Sequence, residues 1–125
     1  MNAADRQARA KAILARLVAF DTVSDRSNLP LVDFVEDHLR ALGAPTRRAY
    51  NAVGDKAALW ATIGPDVDGG IVLSGHTDVV PTKGQPWSGD PFRLREIDGR
   101  LFGRGACDVV AEIGRLGREL SLIHI

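Results

Sequence analysis

The sequence predicts an α/β fold, and three observations carry that expectation. Two N-terminal segments repeat apolar residues at helical period. Segments of strand character follow them. One of these, Ile71-Val72-Leu73, is wholly apolar, as expected of a strand buried on both faces.

In the first segment Ala10, Ile13, Leu14, Leu17 and Val18 form one stripe, with Arg and Lys between them. This helix ends near Phe20-Asp21-Thr22. Ser27 or Asn28 can cap a second helix, and Pro30 is tolerated in its first turn. Leu31, Phe34, Val35, Leu39 and Leu42 make its stripe, and Gly43 suits the left-handed position that closes a helix. Both stripes read as core packing, and His38, beside Leu39, reads as structural. Residues 46–50 form a weak strand candidate. Residues 56–63 form a better one, with Leu59, Ala61 and Ile63 alternating against Ala58, Trp60 and Thr62. Residues 64–70 read as a turn. Asp98-Gly99, set between Leu94/Ile97 and Leu101/Phe102, reads as a hairpin turn.

Composition narrows the function classes. The 125 residues are 45% hydrophobic and carry 16 basic against 16 acidic side chains. That excludes a disordered tail. It gives no support for nucleic-acid binding, which usually brings a basic excess. No apolar run approaches the ~20 residues of a membrane span, and the charged N-terminus does not read as a secretory signal. The single cysteine, Cys107, makes no internal disulfide, so a cytoplasmic location is expected.

The chemistry clusters after the apolar run. Ser74-Gly75-His76-Thr77-Asp78 follows it directly, and in open α/β sheets ligand sites lie beyond the carboxyl ends of strands. His76 and Asp78 are two apart and share one side of an extended chain. A metal-binding histidine needs an acceptor on its second ring nitrogen, which a carboxylate at that spacing can supply. By itself the pair is more economically read as a surface histidine and a capping aspartate. Further on, Gly103 and Gly105 free the backbone to deliver Asp108 into a tight place. Gly103-x-Gly105-x-x-Asp108 lacks the third glycine of a dinucleotide fingerprint, so no nucleotide cofactor is expected. Alone, Asp108 is most cheaply read as a helix cap.

Together the segments say more. Gly75-His76-Thr77-Asp78-Val79-Val80-Pro81, then residues 84–92 around Trp87 and Asp90-Pro91-Phe92, then residues 98–108 ending in Ala106-Cys107-Asp108, resemble the di-zinc aminoacylase and carboxypeptidase superfamily. Within it they are most similar to the acetylornithine deacetylases. The likeness spans roughly residues 13–108, including Asp21-Thr22-Val23-Ser24. It implies part of a three-layer α/β/α catalytic domain over residues 1–108. It also implies two zinc ions, with cobalt as an alternative metal. His76 would be a ligand of one zinc, Asp108 the carboxylate bridging both, and Asp78 the catalytic-site carboxylate that orients His76. Trp87 and Asp90-Pro91-Phe92 are scaffolding for their loop. The implied activity is hydrolysis of the acetyl amide of N2-acetylornithine, a step of arginine biosynthesis, by a homodimer. Desuccinylases and dipeptidases of the same superfamily are the alternatives, and a non-catalytic α/β piece is the reading from another class.

The pattern departs from the family after Asp108. The Glu-Glu pair holding the general base, a further acidic ligand, a second histidine and the dimerisation domain are all missing, so the chain reads as truncated and inactive. Residues 109–125 form a divergent tail. Its end, Leu120-Ser121-Leu122-Ile123-His124-Ile125, is what CTGTCTCTTATACACATC would encode, a string resembling a transposon end used in sequencing libraries. Adapter read-through and an ordinary apolar helix end are both open. Under the first, His124 has no role.

Overall fold

A computed structural model describes residues 2–65 and 67–107. Asp108, His124 and the expected divergent tail, residues 109–125, lie outside the described residues. Helix α1 spans Ala3–Val18 and α2 spans Leu29–Ala41. Strands β1 (Thr46–Tyr50) and β2 (Ala57–Ala61) form one antiparallel pair, and β3 (Arg95–Ile97) and β4 (Arg100–Phe102) form another.

The helix α1 begins seven residues before the apolar stripe does, because its start is set by a cap. Asn2 Oδ1 accepts the Asp5 N–H at 2.9 Å, and the Asp5 carboxylate accepts the Asn2 N–H at 3.3 Å. The expected stripe is then buried through Leu14, Leu17 and Val18. At α2 the Ser27 hydroxyl accepts the Leu29 N–H, while the Asn28 side chain caps nothing and is used elsewhere. Gly43, at φ 81°, ends this helix as expected. The Gly43 N–H reaches Arg40 O and the Ala44 N–H reaches Leu39 O, a Schellman closure.

Helix α2 buries a different set from the expected stripe. Leu31, Val32, Glu36 and Leu39 are inside, with Phe34 and Val35 half-buried. The displacement follows from its second partner. One side packs on α1, where Leu14, Leu17, Val18, Val23, Leu31 and Val79 form the core. The other side meets the β1–β2 hairpin. There Glu36 accepts from Thr46 Oγ1 at 2.7 Å and from Arg48 Nε at 2.6 Å, and it pairs with Arg40 at 2.8 Å. The Thr46 and Arg48 hydrogen bonds outweigh burial and hold its carboxyl below the usual carboxylate range.

Both strand candidates form, the second over Ala57–Ala61, and the structure pairs them as an antiparallel hairpin. In β2 Ala57, Leu59 and Ala61 face inward, and Trp60 is exposed, as the alternation requires. The Asp98-Gly99 turn closes β3–β4 with φ of 51° and 74°, the two positive values of a type I′ turn.

The buried strand expected at residues 71–73 is not present. Ile71, Val72 and Leu73 are 90%, 69% and 54% exposed, and none lies in a strand. A strand buried on both faces needs neighbours along both edges and a layer over each face. Among the described residues nothing supplies them to this run. Among the described residues, parallel pairing is confined to one bridge, Val23 with Val79.

Candidate functional site

That bridge positions the predicted site. The Val79 N–H donates to Thr22 O at 3.0 Å, and the Ser24 N–H donates to Val79 O at 3.1 Å. The Thr22 hydroxyl, on a buried residue, donates to Thr77 O at 2.6 Å. Asn28 completes the frame. Its amide donates to Thr77 Oγ1 and to Ala57 O, and its carbonyl accepts the Ala57 N–H, each at 2.9 Å. The loop after helix α1, the start of α2 and strand β2 therefore converge on the backbone around Thr77-Asp78-Val79.

The structure brings His76 and Asp78 together on one side. His76 Nδ1 lies 3.0 Å from Asp78 Oδ1 and 2.9 Å from Asp78 O. Both neighbours are acceptors, so in the neutral ring Nδ1 carries the proton and Nε2 the lone pair. The other carboxylate oxygen, Oδ2, accepts the Ser24 hydroxyl at 2.8 Å. That hydrogen bond outweighs the opposing effect of burial and, with the His76 ring acting in the same direction, holds the Asp78 carboxyl below its ordinary range. Both side chains are about half exposed, at 53% and 55%.

Residues 84–106 are built as a braced loop, in keeping with a scaffolding role for Trp87 and Asp90-Pro91-Phe92. The Arg104 guanidinium stacks 4.9 Å over the Trp87 ring. Gln85 Oε1 accepts from Trp87 Nε1 at 3.1 Å and from Arg104. Asp90 Oδ1 accepts the Phe92 N–H at 2.9 Å, and the Arg104 N–H donates to Pro91 O at 2.7 Å. Gly103 is required on contact grounds, because a Cβ there would meet Val18 Cγ1 at 2.9 Å. This bracing runs to within a few residues of Asp108, whose own position lies outside the described residues. Among the described residues no three His, Cys, Asp or Glu side chains converge as a metal cluster.

The donor chemistry at His76 fits a zinc ion. A neutral imidazole whose Nδ1–H is held by a carboxylate presents the tautomer that coordinates through Nε2. Ser24, Thr22 and Asn28 escaped the reading of spacing, because they act across 29 to 55 residues of chain. The one signal was Asp21-Thr22-Val23-Ser24, which entered only through the family resemblance.

Comparison with known proteins agrees with that resemblance. Residues 72–113 match Peptidase family M20/M25/M40. The acetylornithine deacetylase of Myxococcus xanthus is 42% identical over 103 residues, covering 78% of this chain and 27% of that protein. Over this stretch the chain is similar to the M20 enzymes. The acetylornithine deacetylase of Pasteurella multocida (strain Pm70) is 38% identical over 100 residues, covering 74% of this chain and 26% of that protein. Among solved structures, human carnosine dipeptidase 1 matches with a TM-score of 0.71 at 26% identity, over 95% of this chain and 30% of that one. The α/β class holds, and the chain spans about a quarter of the length of these M20 relatives.

Proposed function

We propose that the chain is the N-terminal part, residues 1–108, of the catalytic domain of a metal-dependent amidohydrolase that deacetylates N2-acetylornithine. The observation that carries the reading is the His76–Asp78 pair, inside a segment that matches the M20 family. The names of the deacetylase relatives support the substrate. His76 and Asp108 would hold the metal, and Asp78 keeps the proton on His76 Nδ1. When bound, two zinc ions supply the Lewis acidity that polarises an amide carbonyl and acidifies water. The braced 84–106 loop carries the chain toward Asp108. Arginine biosynthesis, a cytoplasmic location and a homodimer belong to the same proposal. Among the described residues no helix is long and apolar enough to cross a membrane.

The 125-residue chain by itself is proposed to be inactive. One histidine and one bridging carboxylate fall short of the three protein ligands usual at a catalytic zinc. The test measures acetylornithine hydrolysis by this chain and by the same locus extended to the length of its relatives. Activity in the long form alone, lost in His76→Ala, is the expected result. Turnover by the short chain that depends on His76 would overturn the inactivity. The likeness to a dipeptidase favours one second reading, peptide hydrolysis. Assaying the long form on a dipeptide beside acetylornithine separates the two.

A further inference from the structure

We propose that Ser24 is a positioning residue that fixes the Asp78 carboxylate so that one chosen oxygen faces His76. Its functional consequence rests on the metal-dependent reading above.

An aspartate side chain that is half exposed ordinarily samples several rotamers. Here its two oxygens are divided between two partners. Oδ1 faces His76 Nδ1 at 3.0 Å, and Oδ2 takes the Ser24 hydroxyl at 2.8 Å. Two contacts on opposite oxygens fix both side-chain torsions. One contact alone leaves rotation about the other.

Ser24 can do this because its own backbone is anchored. Its N–H is bonded to Val79 O, the residue next to Asp78, and the Val79 N–H returns to Thr22 O. Val23 and Val79 are buried beside that bridge. Among the described residues the hydroxyl has one other acceptor within reach, Val79 O at 3.4 Å, and the carboxylate is nearer by more than half an ångström. A charged acceptor also makes the stronger hydrogen bond. His76 keeps Asp78 O as a second acceptor at 2.9 Å, so Ser24 does not decide the histidine tautomer alone. What Ser24 decides is where the negative charge stands relative to the ring.

The test uses the 125-residue chain carrying Ile71→Lys and Leu73→Lys, two exposed positions whose change favours the monomer, and two substitutions of one shape, Ser24→Thr and Ser24→Val, which differ in the hydroxyl. Side-chain scalar couplings report the Asp78 χ1 populations, and the backbone amide spectrum reports the fold. A single dominant rotamer is expected in the parent and in Ser24→Thr, with averaging in Ser24→Val. Equal rotamer populations in the two variants would overturn the assignment. A second arm titrates Zn²⁺ into the same locus extended to the length of its relatives and follows the His76 imidazole resonances. Ser24→Val should raise the midpoint about tenfold, the usual scale for losing a partner behind a ligand, and Ser24→Thr should not. In an Asp78→Asn background Ser24→Val should add nothing. An added loss there would assign Ser24 a general structural role and overturn the proposal. Ordered Asp78 with no zinc response in the parent would sink the metal reading and leave the hold of Ser24 on Asp78 intact.

Discussion

Glu36 concentrates more charge pairing than any other buried side chain described here. Arg40, Arg48 and Thr46 all address it, and Arg48 also pairs with Asp33 at 2.7 Å. The Asp33 and Glu36 hydrogen bonds raise the Arg48 pKa, so this guanidinium stays charged at any working pH. The Glu36 pKa is lowered in the folded chain. Its stabilising contribution is therefore complete above the unfolded-state value and is lost as pH falls through the lowered folded value. Glu36→Gln should lower the melting temperature at neutral pH and flatten the loss of stability on acidification. Melting curves taken from pH 7 to pH 3 check both, and an unchanged acid profile would show that Glu36 does not carry it. This residue was illegible in the sequence, because a glutamate on an amphipathic helix reads as a solvated position. His76 and Asp78 were legible, because their contact is local.

At the scale of elements, closures and turns carry clear expectations. Gly43→Ala places a Cβ at φ 81°, where space is open but the backbone conformation is not. It should cost about 1 kcal/mol, the usual penalty for a non-glycine residue in that region. Asn2→Ala removes the cap of α1 and should also cost about 1 kcal/mol. Gly103→Ala differs in kind, since its Cβ would press on Val18 inside the core. It should destabilise more than Gly43→Ala, and urea titrations of the three variants rank them. Equal costs at Gly43 and Gly103 would mean that the Val18 contact relaxes freely. Both helices, the two strand candidates and the Asp98-Gly99 hairpin were readable from periodicity and turn chemistry, while the pairing of β1 with β2 was not. The buried strand at 71–73 was not, because an apolar run records a need for cover without saying whether cover is at hand.

At the scale of the whole molecule, that uncovered run sets behaviour in solution. Besides Ile71, Val72 and Leu73, the apolar side chains of Val67 and Val80 are exposed. Exposed apolar segments of high β propensity promote association. The 125-residue chain should self-associate at micromolar concentrations, and replacing Ile71 and Leu73 with lysine should shift it toward monomer. Light scattering during size-exclusion chromatography measures this. A monodisperse parent monomer with a sharp cooperative melt would refute the expectation.

The residues alone determined the α/β class, the positions of the helices, the Asp98-Gly99 turn and the placing of His76 and Asp78 on one side of the chain. All of these depend on interactions within a few positions of one another. Tertiary structure alone decided that Thr22, Ser24 and Asn28 grip the segment around Asp78, that Glu36 is inside, and that residues 71–73 stand open. Those outcomes depend on which distant segments meet, and no local preference encodes a hydrogen bond across 54 residues.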